Sequence, residues 1–509
     1  MNAPINAPSR IPHYDVLIIG AGLSGIGAAW HLQKRLPRKS YVIWEGRGAI
    51  GGTWDLFRYP GVRSDSDMFT LGYRFKPWTK EKTLADGTSI RTYVEETARD
   101  YGIDKQIRFN HWVTEIAWSS EEQRWTVTAK TESGIARATC DFLWACSGYY
   151  RYDAGYMPTW PDMNRFKGRI VHPQQWPQDL DYRDKRVLIV GSGATAITLV
   201  PAMAKTGAKV TMLQRSPTYM ASLPSVHPIA KFLSPFLPKS AVYRIVRAIA
   251  VPFQMYVYRQ ARKNPEKTKQ FLFDEAKKQL PPDIDFAKHF TPRYNPWDER
   301  LCFLEDADLF EVVRDRRASV ETDEIERFTE KGVRLKSGKE IEADIVVSAT
   351  GLVLTMLGGA AVKVDGAVVD VGKSFTYKGM MLSGVPNLVA VFGYLNASWT
   401  LRADLISDYV CRLLKYMDAQ GFRTATPTPS EGGMEPKPFS DFTSGYMKRA
   451  LDVLPKQADG VWRHPQNFFA DYFSMRRAPL ADGVLRFGRA KTKPAAEMAS
   501  EKRSERASA

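Results

Sequence analysis

Two parts of the chain show the same order of apolar and small residues. Tyr14–Gly20 reads YDVLIIG, an unbroken apolar run typical of a strand buried on both faces of a parallel sheet. A glycine-rich turn follows, then a stretch with helical spacing, GAAWHLQKRL, and then a second apolar run at Tyr41–Glu45. This order of strand, turn, helix and strand predicts the first half of a dinucleotide-binding unit.

The first turn, Gly20-Ala-Gly22-Leu-Ser-Gly25, has the glycine spacing that dinucleotide binding requires. Gly20 permits the tight turn, Gly22 lets a pyrophosphate approach the backbone, and Gly25 lets the helix pack closely on the strand. The free N–H groups at the start of the helix would face the phosphates. Glu45 lies 20 residues beyond Gly25, where an acid accepts hydrogen bonds from a ribose. We therefore expect FAD or NAD here.

A second unit with the same order begins at Arg186–Val190, which reads RVLIV. It continues through the turn Gly191–Ala196 (GSGATA), a helical stretch and the apolar run Lys209–Gln214. The second strand is followed by Arg215 and Ser216 and not by an acid. A guanidinium and a hydroxyl suit a ribose 2′-phosphate, which an acid would repel. The second site is therefore predicted to take NADPH.

Two later runs, Cys140–Gly148 and Ala343–Gly351, read as strands that close nucleotide domains. The sequence thus predicts an α/β fold with two Rossmann-like dinucleotide-binding domains, the NADPH domain being inserted in the FAD domain, plus a helical insertion. The predicted ranges are 1–150 and 341–488 for the FAD domain, 151–218 and 296–340 for the NADPH domain, 219–295 for the helical insertion, and 489–509 for a disordered basic tail.

Between 219 and 295 the strand signals stop, and short helices are predicted between prolines 228, 235, 238 and 252. Residues 229–269 carry nine basic residues and one acid, and their longest uncharged run, Ala248–Tyr258, has 11 residues. Because a bilayer span needs about 20, a transmembrane helix is not expected. The favoured hypothesis is a helical cover over the active site. The alternative is a basic amphipathic surface that contacts membrane lipid.

Composition narrows the function classes. Four cysteines without Cys-x-x-Cys spacing provide neither a disulfide framework nor a metal ribbon. The net charge is +16, but no RNA-binding aromatic motif or zinc knuckle accompanies it, so we expect no nucleic-acid partner and no metal. The N-terminus lacks the apolar core of a signal peptide. These features predict a cytoplasmic protein, whose only contact with a membrane would be peripheral. Its oligomeric state is left open.

A further motif, FKGRIVHPQQWP at 166–177, fits neither a helical nor a strand period. Its Phe166, Gly168, His172 and Trp176 resemble the signature of the flavin-dependent Baeyer–Villiger monooxygenases, and among them the ethionamide-activating type. The resemblance covers nearly the whole chain and includes GGTW at 51–54, YPGVRSDSD at 59–67, NPWDERLC at 295–302 and ATG at 349–351.

The resemblance implies an NADPH-dependent flavin monooxygenase that binds FAD and NADPH and uses O₂. Through a C4a-peroxyflavin it would convert hydrophobic ketones to esters or lactones, and it would oxidise sulfides as well. By this resemblance Arg300 would stabilise the anionic peroxide and its adduct, since a guanidinium stays charged. Asp65 would hold that arginine in place beside the flavin. His172 would couple the two nucleotide domains without touching the reacting atoms.

Cofactor contacts are carried over from the family position by position. Those implied for FAD are Gly20, Gly22, Ser24, Gly25, Glu45, Thr53, Trp54, Asp55, Leu56 and Val113. Those implied for the NADPH side are Arg63, Ser64, Asp65, Gly191, Ser192, Gly193, Ala194, Thr195, Ala196, Ile197, Arg215 and Ser216. The substrate pocket would be formed by the insertion and the loop Tyr394–Arg402.

One position departs from the family pattern. Several relatives carry Lys immediately before the catalytic arginine, where it helps to bind the 2′-phosphate, whereas this chain has Glu299. Arg215 is then the main residue expected to favour NADPH over NADH. Two other functions stay open: an S/N-oxygenating flavin-containing monooxygenase, where the position of Trp176 is usually Tyr or Phe, and a flavoprotein that acts as a membrane-surface interaction module.

Overall fold

The computed structural model describes residues 11–299 and 301–490. Arg300 and residues 491–509 of the predicted tail lie outside the described residues. The described strands are β1 (His13–Ile19), β2 (Tyr41–Trp44), β3 (Ile107–Arg108), β4 (Trp112–Ser119), β5 (Arg124–Thr131), β6 (Gly134–Ala145), β7 (Arg169–Val171), β8 (Arg186–Val190), β9 (Lys209–Gln214), β10 (Met220–Leu223), β11 (Cys302–Glu305), β12 (Ala318–Thr322), β13 (Ile325–Thr329), β14 (Gly332–Leu335), β15 (Glu340–Glu342), β16 (Ile345–Ser348), β17 (Ala361–Val364), β18 (Ala367–Val368), β19 (Thr376–Tyr377), β20 (Met381–Leu382), β21 (Leu388–Ala390), β22 (Phe422–Pro427) and β23 (Leu485–Arg489).

The α-helices of the same residues have the following bounds: α1 (Leu23–Arg35), α2 (Thr53–Leu56), α3 (Met68–Leu71), α4 (Gly87–Asp100), α5 (Ala194–Lys205), α6 (Pro228–Leu233), α7 (Lys239–Lys263), α8 (Pro265–Lys277), α9 (Phe286–Phe290), α10 (Asp308–Arg314), α11 (Trp399–Gln420), α12 (Gly445–Arg449) and α13 (Phe468–Arg476). Short 3₁₀ helices occupy Asp104–Gln106, Met163–Arg165, Pro173–Gln175, Leu357–Gly359 and Gly460–Trp462.

The first predicted unit lies at one side of a nine-stranded sheet. Its strand order is β18-β17-β4-β5-β6-β1-β2-β3, and β21 also pairs with β6. β1 pairs in parallel with β2 and with β6. Leu17 and Ile18 point to opposite faces of β1 and both are fully buried, as expected for a strand covered on both sides. The apolar run at the N-terminus therefore forms an interior strand of this sheet.

The second predicted unit forms a five-stranded parallel sheet with the order β12-β9-β8-β16-β7. After this sheet the chain returns to the first one, where β17 pairs with β4 and β21 pairs with β6. The two-domain α/β architecture with an inserted second domain is thus the fold of the chain.

Strand pairing corrects the predicted domain boundary at 341. β16 follows that boundary, yet it pairs with β8 on one side and with β7 on the other, so it belongs to the second sheet. The return to the first sheet comes after Ser348. An apolar run such as DIVVS fits the interior of either sheet equally well, so its pattern does not select its neighbours.

The insertion differs from the short helices predicted for it. α7 is a continuous helix of 25 residues that runs through Pro252. A proline removes one helical hydrogen bond, but α7 buries Val246, Ala250 and Met255. Arg247 also donates to the main-chain oxygens of Phe69 and Gly72 at 2.6 and 2.8 Å. This packing outweighs the lost bond. Among the described helices, none is long and apolar enough to cross a membrane.

A buried arginine joins three segments beside the first sheet. Arg402 in α11 is fully buried, and its Nε donates to Asp471 of α13 at 3.0 Å. The terminal nitrogens donate to the main-chain oxygens of Lys378 at 2.6 Å and of Phe392 at 2.6 Å. A buried charge is tolerated when every donor is matched in this way.

We expect Arg402→Met to lower the free energy of unfolding by about 3–5 kcal/mol, because it leaves the buried Asp471 carboxylate without its cation and buried carbonyls without a donor. Denaturant unfolding of the FAD-loaded protein measures the change. Lys415→Met, at an exposed position of the same helix, is the matched control and should stay within about 0.5 kcal/mol. Equal stability of the two variants would contradict the structural role of Arg402.

Candidate active site

The carboxyl ends of β1 and β8 face a common cavity, the position where open α/β sheets bind ligands. Its volume is about 2080 Å³, and both glycine turns line it. A pocket for one small molecule typically measures ~300–1,000 Å³. The cavity therefore has room for two dinucleotides and a substrate.

The first glycine turn is closed by contact between backbone atoms. A Cβ placed on Gly25 would lie 1.8 Å from the carbonyl oxygen of Gly20, so no side chain fits there. The buried Glu45 carboxylate accepts the N–H of Ala21 at 2.7 Å and that of Arg47 at 2.9 Å. Burial raises the pKa of this carboxyl above its ordinary value, and the two N–H groups oppose the rise. Glu45 thus fixes the turn, and its oxygens keep lone pairs for a ribose hydroxyl.

The other residues implied for FAD are divided between the cavity and its supporting wall. Those that line the cavity are Gly20, Gly22, Ser24, Glu45, Thr53, Trp54 and Val113. Gly25, Asp55 and Leu56 do not line it. The buried Asp55 carboxylate instead contacts three guanidinium groups, those of Arg47, Arg58 and Arg91. Asp55 therefore supports the wall through these arginines.

The stretch Arg63–Asp65 lies along the cavity between the two turns. The Arg63 guanidinium donates to both oxygens of Asp308, at 2.6 and 3.1 Å. The Arg63 guanidinium therefore forms an ion pair with the first residue of α10. The hydroxyl of Ser64 donates to the main-chain oxygen of Ser66 at 2.8 Å. Asp65 itself lines the cavity, while its predicted partner Arg300 is outside the described residues.

The second glycine turn shares one contact with the first. A Cβ on Gly191 would lie 2.4 Å from the carbonyl oxygen of Ala349, just as a Cβ on Gly20 would lie 2.7 Å from that of Cys146. Of the residues implied for the NADPH side, Gly191, Ser192, Gly193, Ala194, Thr195, Ile197, Arg215 and Ser216 line the cavity, and Ala196 does not. Two cations that the sequence did not single out, Lys336 and Arg449, line the cavity as well. Their chain positions are remote from both glycine turns, which is why no motif identified them.

The motif at 166–177 ties the second sheet to the edge of the cavity. Its residues 169–171 form β7, which pairs with β16. The His172 Nε2 atom lies 3.2 Å from the carbonyl oxygen of Gly351, a cavity-lining residue, and its Nδ1 accepts the N–H of Gln174 at 3.1 Å. Burial lowers the pKa of His172, which favours the neutral ring. His172 is a positioning residue that does not itself line the cavity.

The remaining wall of the cavity is apolar. Ile249, Phe253 and Val257 on one side of α7 line it, and so does Trp399 at the start of α11. The rings of Tyr149 and Trp399 are stacked with centroids 5.1 Å apart. The pocket predicted from the insertion and the loop 394–402 is therefore present, although only the helical structure of the insertion shows which of its residues face inward.

Comparisons with known proteins agree with this geometry. Residues 82–261 match the model of the flavin-binding monooxygenase-like family, and residues 18–77 match an NAD(P)-binding Rossmann-like domain. The chain is 52% identical over 479 residues to the FAD-containing monooxygenase EthA of Mycobacterium tuberculosis, covering 94% of this chain and 98% of the relative. It is 48% identical over 496 residues to the probable FAD-binding monooxygenase AlmA of Acinetobacter baylyi, covering 95% and 99%.

Two solved structures share the fold. An oxidised steroid monooxygenase bound to NADP superposes with a TM-score of 0.74 at 20% identity and covers 94% of this chain and 100% of its own. The OTEMO complex with FAD and NADP gives a TM-score of 0.68 at 21% identity, with coverage of 82% and 88%. The fold thus defines a protein of the two-Rossmann-domain type. The chain belongs to the family of FAD-containing monooxygenases, and it is an enzyme with FAD as its cofactor.

We expect Glu45→Gln to weaken FAD binding at least about tenfold, because the amide places a donor against an N–H group of the turn and removes a ribose acceptor. The ratio of flavin to protein after gel filtration and a fluorescence titration of the apoprotein measure this loss. Glu121→Gln, at an exposed position, provides the control. Undiminished FAD binding by the Glu45 variant would show that the carboxylate is not required at the turn.

Proposed function

We propose that this enzyme is a Baeyer–Villiger monooxygenase. It inserts one atom of O₂ beside the carbonyl of a hydrophobic ketone, giving an ester or lactone, while NADPH supplies the two electrons that reduce the other atom to water. The observation that carries the proposal is the motif at 166–177, which ends in Trp176-Pro177 and whose His172 contacts Gly351 at the cavity. Sulfides are expected as additional substrates.

In this proposal FAD occupies the first glycine turn and NADPH the second. Bound FAD supplies the transfer of electrons from NADPH to O₂. The helix N-termini at the two turns provide free N–H groups for the pyrophosphates, and Glu45 provides the ribose acceptor. The protein has two further tasks, which are to stabilise negative charge next to the flavin and to keep water away from it.

Arg300 is proposed for the first task. The residues before and after it, Glu299 and Leu301, both line the cavity, as does Asp65. A guanidinium in this region would stabilise the negative charge that develops on the reacting oxygen atoms and on the carbonyl oxygen of the ketone. Asp65 would hold the guanidinium in its orientation, since a carboxylate pairs with it in a fixed geometry.

The apolar wall is proposed for the second task and for substrate choice. Ile249, Phe253 and Val257 present aliphatic and aromatic surface to the cavity. No charged residue of α7 lines the cavity beside them. Such a surface favours a ketone with a long or cyclic hydrocarbon part, because each buried methylene contributes about 0.8 kcal/mol to binding. A sulfide with a similar apolar part would fit the same wall.

For Arg300→Ala we expect ester formation to fall by about 10²–10³, the range for removing one donor to a developing oxyanion. NADPH should still reduce the flavin, so oxygen would be released as hydrogen peroxide. Product analysis by gas chromatography and a peroxide assay measure both outcomes. Arg293→Ala, at an exposed position shortly before it, is the control.

Ester formation that is only halved in the Arg300 variant would contradict its proposed role. If the unmodified enzyme gives sulfoxides or N-oxides but no ester across a broad panel of ketones, the enzyme is an S/N-oxygenating flavin monooxygenase, the alternative stated above. The result with the ketone panel is independent of the result with Arg300→Ala, because the panel is measured on the unmodified enzyme.

We also propose that 229–269 contacts an anionic lipid surface and that the enzyme is peripherally associated with the cytoplasmic face of a membrane. The support is an exposed apolar surface on α6, α7 and their connection. The exposed fractions are 70% for Phe232, 75% for Phe236, 62% for Phe253 and 59% for Tyr256. Exposed apolar patches of this kind mark interaction sites.

Charge favours lipid as the occupant of this surface. Lys231, Lys239, Arg244 and Arg259 are exposed around the aromatic side chains, and the first acid after residue 229 is Glu266. Basic residues that flank inserted aromatic side chains are typical of helices that lie in the membrane interface. Ile249 and Phe253 are exposed and also line the cavity, so an apolar substrate could pass from lipid to the active site.

The double substitution Phe232→Glu and Phe236→Glu should reduce binding to phosphatidylglycerol vesicles at least about tenfold, because two apolar anchors are lost and two negative charges are added. Vesicle co-sedimentation measures the loss of vesicle binding. Activity on a water-soluble ketone should not change, since neither residue lines the cavity. The control is Ile135→Glu with Val368→Glu, two exposed apolar residues of the first sheet. Absence of vesicle binding by the unmodified enzyme would overturn the proposal.

A further inference from the structure

The cavity contains a cluster of charges that the sequence motifs did not identify, at the carboxyl end of β9. Thr322, the last residue of β12, pairs with Gln214, the last residue of β9, and Arg215 follows directly. Glu324 lies two residues beyond Thr322, and Lys336 is in the turn after β14. Arg215, Glu324 and Lys336 all line the cavity.

Both cations act on one carboxylate, Lys336 by direct contact and Arg215 through its charge. The Lys336 Nζ donates to Glu324 Oε2 at 2.7 Å, and the Lys336 N–H donates to the carbonyl oxygen of Glu324 at 2.9 Å. The pKa of Glu324 is lowered by the hydrogen bond from Lys336 and, more weakly, by the charge of Arg215. The carboxylate is therefore under the influence of both positive groups.

The neighbouring acids are placed differently. Asp323 accepts the N–H of Glu324 at 2.7 Å and the N–H of Ser337 at 3.2 Å, so its carboxylate is engaged by the backbone of the two adjoining segments. Glu299 also interacts with Arg215; burial raises the pKa of Glu299, and the charges of Lys448 and Arg215 oppose this rise. Among the described residues, the Glu324 carboxylate interacts with cationic side chains and accepts no backbone N–H. Its side chain can therefore move away from these cations without a change in the backbone.

We propose that Lys336 and Arg215 together bind the 2′-phosphate of NADPH, and that the Glu324 carboxylate occupies this phosphate position in the absence of cofactor. The end of the second strand of a Rossmann unit is where the adenosine ribose lies. A phosphate carries up to two negative charges, so two cations prefer it to one carboxylate. Several relatives have a lysine where this chain has Glu299. Lys336 thereby supplies that cation from a different part of the chain. The proposal depends on NADPH as reductant and not on the ketone.

Titration of the oxidised, FAD-bound enzyme with NADP⁺ and with NAD⁺, followed by flavin absorbance or calorimetry, tests the assignment without turnover. For Lys336→Gln we expect the Kd of NADP⁺ to rise about tenfold, as for loss of a charged hydrogen bond, and that of NAD⁺ to stay within about twofold. Glu324→Gln should lower the Kd of NADP⁺ and leave that of NAD⁺ unchanged, because the competing carboxylate is gone.

The matched control is Lys339→Gln, which removes the same charge from the same turn. Lys339 pairs with Glu321 and does not line the cavity, so its loss should leave the preference for NADP⁺ unchanged. Competition by 2′,5′-ADP and by 5′-AMP isolates the phosphate, and only the former should weaken in Lys336→Gln. The proposal would be overturned if the Kd values of NADP⁺ and NAD⁺ changed equally in Lys336→Gln, or if neither of them changed. Failure to oxygenate any ketone would affect the proposed reaction alone, because these titrations need no substrate.

Discussion

Backbone contact at the two glycine turns is the constraint on which the rest of the structure depends. Gly25 lies against the carbonyl of Gly20, and Gly191 against that of Ala349, at distances that exclude a Cβ. These contacts bring the start of α1 and of α5 to the carboxyl ends of the central strands. Because both helices begin at the same cavity, their free N–H groups are available there to the phosphates of two dinucleotides. The large cavity follows from this arrangement.

Three segments outside the sheets meet at Gly351, which follows β16. Its carbonyl oxygen accepts the N–H of Tyr156 at 3.2 Å and lies 3.2 Å from the Nε2 of His172. The second contact fits a neutral imidazole that donates from Nε2 and accepts at Nδ1. The Arg449 guanidinium stacks 3.6 Å above the Tyr156 ring on the same side. The motif at 166–177 thus contacts the cavity edge through the backbone of Gly351, and His172 itself does not line the cavity.

Local sequence was sufficient for the parts of the fold that depend on neighbours in the chain. The two strand–turn–helix units, Glu45 and Arg215 follow from short-range spacing, and they lie where such units place them. The sheet to which β16 belongs depends on hydrogen bonds to β7 and β8, which are more than 150 residues away, and an apolar run carries no information about them. Lys336 was missed for the same reason, since only the pairing of β12 with β9 brings its turn to Arg215.

The insertion bears on two hypotheses that the sequence presented as alternatives, namely a cover over the active site and a surface that contacts lipid. α7 has a buried side that contains Val246 and Ala250, an edge with Ile249 and Phe253 at the cavity, and an exposed side with Tyr256. Arg247 binds the carbonyl groups at the end of α3 and so prevents the helix from leaving the first domain. The proposed cover over the active site and the proposed lipid surface would therefore be two sides of the same element. Because the edge between them is apolar, a hydrophobic substrate that moved from one side to the other would meet no charged group of this edge.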